Sequence, residues 1–207
     1  ILNYNGLADT LECLTSLQAA ELGDASVILV DNGSKEDSAV GLSAWNAEHA
    51  FFDQVETLAE PHLANTANYG WPKALVASKN SLLLSAENLG FAAGNNLATR
   101  LALARGEGDV FLLNNDTTVA PDFMEELRQG RLRHPEAVLI PQIRLYHDPE
   151  HIWNCGGLLI WPGRKAYNFE NAPVTRASEM LEIPVSFVTG CALLYRPQQT
   201  GLLTERF

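Results

Sequence analysis

The chain has 207 residues, of which 46% are hydrophobic and 19% charged, with a formal net charge of -11. That length supports one good-sized core without forcing a second domain, and no apolar run reaches the length needed to span a bilayer as a helix, which excludes an integral membrane protein of that type. The acidity excludes a nucleic-acid partner, because binding a phosphate backbone needs a basic surface.

Ile1 to Tyr4 reads as a short strand, after which Leu7, Leu11, Leu14 and Leu17 fall on one helical face. Asp9 and Thr10 come early enough to favour that helix's first turn. Val27 to Val30 is a continuous apolar run, as expected of a strand covered on both faces, and a helix is predicted over Glu36 to His49. The stretch 50–80 carries Pro61 and Pro72 and shows no period, so it reads as a mobile insertion. Trp45, Phe51 and Phe52 beside it are best explained by a helix burying its apolar side.

A third strand over Leu82 to Leu84 leads through Glu87-Asn88-Leu89-Gly90 into an alanine-rich helix from Phe91 to Arg105. A fourth, Val110 to Leu113, precedes a helix opened by Pro121 at a first-turn position, with Asp122, Glu125 and Glu126 near its positive end. Strands alternating with helices predict an α/β fold, a Rossmann-like and mostly parallel sheet flanked by helices. After Ala137 the pattern changes. Predicted strands over Ala137 to Ile140, Ile143 to Tyr146, Gly157 to Trp161 and Phe187 to Tyr195 give a mixed or antiparallel C-terminal part. The chain opens without Met inside a strand and closes on an unfinished phrase, so it reads as one domain cut from a longer protein. Cys13, Cys155 and Cys191 lack metal-type spacing, which points to a reducing cytoplasm and not to a disulfide framework.

Two strands end in oxygen-rich clusters, Asp31-Asn32-Gly33-Ser34 and Asn114-Asn115-Asp116. The carboxyl ends of strands are where open α/β sheets bind ligands. Taken alone, Asp116 reads as a turn former or helix cap beside Thr117 and Thr118. The 31–34 run is equally a tight turn with Gly33 at positive φ. Taken together they suggest one polar site, with Asp31 accepting hydrogen bonds from a base or ribose and Asp116 holding a hard cation on a diphosphate. Gly90 and Gly94, beside Asn95 and Asn96, fit either a phosphate cradle at a helix start or close packing of helix on sheet. His151 and Trp153 fit an acceptor border or simple packing, and Cys191 reads as a small buried residue and not a nucleophile.

Four runs carry a resemblance: Ile1-Leu2-Asn3-Tyr4-Asn5-Gly6, Val30 to Ser34, Glu87 to Asn96, and Leu113 to Asp116, with Phe187 to Arg196 matching a later strand. In order and spacing they resemble the inverting family 2 glycosyltransferases of GT-A fold, above all the bacterial rhamnosyltransferase-like members. The resemblance implies that residues 1–136 bind a nucleotide sugar and that 137–207 face the acceptor. Asn3, Tyr4, Asn5, Asp31, Asn32, Ser34, Asn88, Gly90, Asn95, Asn114 and Asn115 would line the nucleotide site. Asp116 would hold Mg²⁺ or Mn²⁺, and Trp153, Thr189 and Gly190 would lie on the acceptor side.

The implied donor is a dTDP- or UDP-sugar, with rhamnose the sugar suggested, and the acceptor a glycan or a lipid-linked glycan. The implied place is the cytoplasm or the inner face of the membrane, reached through regions outside this chain. Asn114 stands where the family's metal motif has its first carboxylate, and Thr204 where relatives tend to have Asp. The family's catalytic base belongs to an acidic pair expected beyond Phe207, and Glu205 reads as a solvated carboxylate. A nucleotide-sugar-binding module with weak or no catalysis is therefore the alternative. A nicotinamide-dependent dehydrogenase fits poorly, since only Gly6 follows the first strand where a glycine fingerprint belongs.

Overall fold

The structure, a computed structural model, describes residues 1–35, 37–58, 70–177 and 182–205. Strands β1 (Leu2–Asn3), β2 (Ile28–Asn32), β3 (Gln54–Leu58) and β4 (Ser81–Ser85) form a sheet in the order β1-β2-β4-β3, with every pairing parallel. Helices α1 (Leu7–Ala19), α2 (Ser38–His49), α3 (Lys73–Ala77) and α4 (Gly90–Ala104) supply the crossovers. Strand side chains alternate between faces, and β2 shows the result. Leu29 enters a core with Leu14, Leu42 and Trp45, while Ile28 and Val30 enter a second core with Leu75, Leu97 and Leu101. Burial on both faces is why this segment is apolar at successive positions.

The predicted insertion at 50–80 is corrected in part. Residues 54–58 form the edge strand β3 and 73–77 form α3, while 59–69 lie outside the described residues. An edge strand packs one face only, so β3 alternates partly buried and exposed residues and shows no apolar run. Trp45 and Phe52 are buried as expected, with Phe51 packed edge-on to both.

Strand β5 (Val110–Leu113) is joined to β1 by the bridge between Leu2 and Asn114. Its other edge pairs antiparallel with a strand at Ala192–Tyr195, from Ala192 opposite Leu113 to Tyr195 opposite Val110. Helix α5 (Phe123–Arg133) begins at Phe123, two residues beyond the predicted Pro121, because Pro121 and Asp122 form a turn. The C-terminal part is antiparallel, as predicted, but its strands differ. Only a bridge from Leu139 to Leu194 marks the expected strand at 137–140. Two hairpins follow, β6 (Ile143–Leu145) with β7 (Asp148–Asn154) and β8 (Gly157–Ile160) with β9 (Arg164–Tyr167). The predicted strand at 187–195 narrows to β10, Ala192–Tyr195, ahead of the short helix α6 (Pro197–Thr200).

A three-residue ion cluster locks β5 to its neighbours. Asp109 pairs with Arg131 Nε at 2.9 Å and with Arg196 Nε at 3.0 Å, and Arg131 is 8% exposed. Arg131 also donates through Nη1 to the Ala137 carbonyl at 2.6 Å, tying down the chain beyond α5. Removing one partner of a buried pair strands the other charge. Asp109→Ala is accordingly expected to cost about 2 kcal/mol and lower the thermal midpoint by roughly 4–8 °C, measured by calorimetry.

A cavity of about 560 Å³ lies toward the amino ends of the strands among Leu17, Ile28, Ala102, Val110 and Leu127. It is at the opposite end of the sheet from the polar clusters, and its lining carries none of the residues that the chemistry requires.

Candidate donor site at the carboxyl edge of the sheet

Four strands bring polar side chains to one edge: Asn3 from β1, Asp31 and Asn32 from β2, Asn88 after β4, and Asn114 to Asp116 after β5. Because β10 runs antiparallel to β5, Thr189, Gly190 and Cys191 arrive at the same edge, and Asn114 N donates to Cys191 O at 2.8 Å.

Asn3 is the hub and is fully buried. Its Nδ2 donates to Asp31 Oδ1 at 2.6 Å, and its Oδ1 accepts from Gly6 N at 3.1 Å and Thr10 Oγ1 at 3.0 Å. Ser34 Oγ donates to the same Asp31 Oδ1 at 2.6 Å. At 4% exposure the Asp31 carboxylate needs such donors, since an unpaired buried charge is costly. Both bonds fall on Oδ1; among the described residues no donor is directed at Oδ2. Asn5 N donates to Ser34 Oγ at 3.0 Å, and Lys35 N donates to Asn5 Oδ1 at 2.7 Å, which lashes the β1 and β2 loops together. Asn5 itself sits at φ 57°, a left-handed conformation that Asn tolerates. Gly33 has φ +68°, and a Cβ there would lie 2.3 Å from the Glu87 backbone, so only glycine fits this turn. Tyr4 is 42% exposed at the rim.

Some amides named from the sequence serve the backbone instead. Asn32 is 2% exposed; its Nδ2 donates to Asn88 Oδ1 and its Oδ1 accepts from Leu89 N, which shapes the turn after β4. Asn88 Oδ1 also accepts from Gly90 N at 2.8 Å. Asn95 is 4% exposed and donates to the Phe91 carbonyl within α4, so it faces no open space. Gly94 is a packing residue, since a Cβ there would lie 2.5 Å from Leu2 Cδ1. Asn115 turns inward, donating to Thr10 Oγ1 at 2.9 Å and reaching Gly6 O and Asn3 Oδ1. Glu205 is not free: its Oε1 accepts from the buried Asn96 at 2.6 Å and lies 3.6 Å from Arg100.

Asp116 points the other way. Its side chain is exposed and makes no hydrogen bond or ion pair among the described residues. It borders a cleft of about 260 Å³ shared with Asp9 and Glu12 of α1, Thr117, and Tyr146 and His147 from the β6–β7 turn. The Tyr146 hydroxyl donates to Glu12, whose carboxylate holds the phenol above its ordinary pKa. Thr10, Glu12 and Tyr146 were not singled out from the sequence for this site. Thr10 carried only a helix-start signal, and Glu12 and Tyr146 lie too far apart along the chain to suggest each other.

Trp153, 42% exposed on β7, belongs to a strand paired with β6 and not with the strands that end at this edge. Thr189 Oγ1 accepts from Cys191 N at 3.3 Å, and Gly190 abuts the Phe91 ring. Burial and, secondarily, the Asp116 charge push the Cys191 thiol up to about 11, and burial also pushes Cys13 up to about 11. Both are neutral thiols at physiological pH, so alkylation by iodoacetamide at pH 8 is expected to run at least about tenfold slower than for an unfolded cysteine. Because the folded-state pKa is raised, the stability from these neutral thiols is complete below pH 9 and is lost as pH rises toward 11. A falling urea midpoint over that window would register it.

No group of three or more His, Cys, Asp or Glu side chains converges on a metal geometry among the described residues. A single carboxylate nevertheless fits Mg²⁺ or Mn²⁺ delivered with a diphosphate, since hard cations of this size often take one or two protein carboxylates and fill the rest with phosphate oxygens and water.

The fold is α/β and GT-A-like: a parallel four-stranded sheet flanked by helices, extended by an antiparallel part. No family model matches the sequence, and no curated protein matches it. Among solved structures, the fold is similar to the mannosyltransferase PcManGT from Pyrobaculum calidifontis, solved in complex with GDP-Man and Mn2+. That similarity has a TM-score of 0.59 at 12% sequence identity and covers 99% of this chain and 46% of that chain. The chain thus spans less than half the length of that protein.

Proposed function

We propose that this chain is the donor-binding part of a glycosyltransferase that moves a sugar from a nucleoside diphosphate to a hydroxyl of a glycan or lipid-linked acceptor, with inversion. The observation that carries the reading is the division of labour at the strand ends. The buried Asp31 carries both of its bonds on Oδ1, which leaves Oδ2 to accept from base or ribose hydroxyls, while Asp116, without a partner among the described residues, borders an open cleft. The chain's resemblance to rhamnosyltransferase-like enzymes makes a dTDP- or UDP-sugar, with rhamnose as the sugar, the donor of choice. Asp116 would hold Mg²⁺ or Mn²⁺, whose chemistry when bound is to offset the charge that builds on the departing diphosphate.

The chain's own residues orient the donor. Asn3 and Ser34 fix the Asp31 carboxylate, Tyr4 borders the base at the rim, and the turn of Asn88 and Gly90 closes one side. Glu205 is engaged by Asn96 and Arg100, so it is not assigned as the base that deprotonates the acceptor. This engagement favours the second reading, a donor-binding module with little turnover by itself.

Thermal shift with UDP-, dTDP- and GDP-sugars, each with and without Mn²⁺, tests the donor reading. Stabilisation by UDP- or dTDP-sugars that requires the metal is expected, because a ligand that binds only the folded state raises its melting point. Absence of a metal-linked shift with every nucleotide would sink it. Transfer to water or to an added glycan then separates the enzyme from the module.

A further inference from the structure

The β8–β9 hairpin is paired with itself, Gly157 opposite Tyr167 through Ile160 opposite Arg164, and its base meets Ser186 and Phe187 through backbone bonds at Gly157 and a bond from Leu159 N to Ser186 Oγ at 2.7 Å. Its outer end exposes consecutive large apolar side chains: Leu158 at 47%, Leu159 at 54%, Ile160 at 50% and Trp161 at 92%. Neighbouring strand residues point to opposite faces, and among the described residues neither face of this tip is covered by a core. Single exposed hydrophobes are ordinary on a protein surface, but four in succession mark a contact surface.

The charge of the hairpin is opposite to that of the chain. From Gly157 to Phe169 there are two cations, Arg164 and Lys165, and no Asp or Glu, within a chain of net charge -11. Both cations are exposed, Lys165 lying 5.5 Å above the Phe187 ring. A second copy of this chain in a two-fold contact would set these cations against themselves. A tryptophan-tipped apolar turn flanked by basic side chains instead matches the boundary of an anionic bilayer, where indole rings settle at headgroup depth and Lys or Arg meet lipid phosphates.

We propose that the β8–β9 hairpin is a membrane-docking element that seats Ile160 and Trp161 among the headgroups of an anionic lipid surface and holds Arg164 and Lys165 against the phosphates. This docking is independent of the donor site at the strand ends, so either can fail alone. The test is co-sedimentation with vesicles of phosphatidylcholine alone and of phosphatidylcholine mixed with phosphatidylglycerol, at low and high salt.

Binding to the mixed vesicles is expected, weakened by salt and accompanied by a blue shift of tryptophan emission that Trp161→Ser removes. The pair Arg164→Gln and Lys165→Gln is expected to lower affinity about thirtyfold, roughly fivefold for each cation. All of these side chains are exposed, so the thermal midpoints should match the parent. Three results would overturn the proposal: equal partitioning to both vesicle types, unchanged binding by Trp161→Ser and the charge variant, or self-association that Trp161→Ser abolishes in the absence of lipid binding.

Discussion

Asp116→Ala is expected to abolish the Mn²⁺-dependent stabilisation of this chain by nucleoside diphosphate sugars while leaving the ligand-free melting temperature unchanged. The second half follows from the structure: the carboxylate is exposed and makes no hydrogen bond or ion pair among the described residues, so the fold loses nothing with it. The first half follows from charge. Of the cleft's carboxylates, Asp116 stands at the end of β5 beside the strand-end cluster while Glu12 is engaged by Tyr146, so loss of Asp116 removes the anion placed to hold the cation. At a ligand concentration about a hundred times the dissociation constant, the parent gains about 2.7 kcal/mol. For a domain of this size that is a rise of roughly 5–10 °C, and the variant should show almost none of it. Chelation by EDTA should reproduce the variant in the parent protein. The free nucleoside, which lacks the diphosphate, should bind both proteins alike through Asp31. A full metal-dependent shift in Asp116→Ala would remove this residue from the site.

Asn3→Ala is expected to be among the most damaging polar substitutions in the molecule. The amide is fully buried and donates to Asp31 while accepting from Gly6 and Thr10. Truncation removes the acceptor shared by Gly6 N, Thr10 Oγ1 and Asn115 Nδ2, of which only the latter two keep other partners, and leaves a buried carboxylate short of one donor; each group left unsatisfied costs about 1–3 kcal/mol. A net destabilisation of about 3 kcal/mol, or roughly 6–12 °C in the thermal midpoint, is the expected result. Nucleoside binding should fall with it, because Asp31 is then oriented by Ser34 alone. Thr10→Val, which removes one hydroxyl from the same network, should cost only about 1 kcal/mol in the same melt. Equal losses in the two variants would show that Asn3 is a passive neighbour and that Asp31 sets the network.

The parallel half of the fold was legible because burial on two faces forces a distinctive composition. Val27 to Val30 and Leu82 to Leu84 have no polar residue to hide, and each strand runs on past its apolar run into polar residues, Asp31 and Asn32 in β2 and Ser85 in β4. Strand β3 escaped the same reading since an edge strand hides one face only. Strands β7 and β9 escaped it because Asp148-Pro149-Glu150 and Arg164-Lys165 look like loop residues until a partner strand is known.

At the site, the residue types were readable but their directions were not. An amide can serve a ligand or a backbone with equal chemistry, and only the packing decides that Asn95 turns to Phe91 and Asn115 to Thr10. Asp116 is different because nothing among the described residues satisfies it. That absence of a partner became visible only with the surrounding side chains in place.

The thin connection between β1 and β5 has a consequence for how the protein breathes. Asp31 and Asp116 lie on opposite sides of a seam where β1 meets β5 through one backbone bridge, supplemented by the Asn115 amide and by bonds joining Ser16 and Glu21 to the chain after β5, whereas β2 and β4 are zipped along five residue pairs. The β5–β10 ribbon should therefore part from the larger sheet at lower free energy than global unfolding, and its amides should exchange with deuterium before those of β2. A donor gripped at its nucleoside by one side and at its diphosphate by the other would act as a cross-brace, slowing that exchange in β5 without touching a single one of its backbone amides.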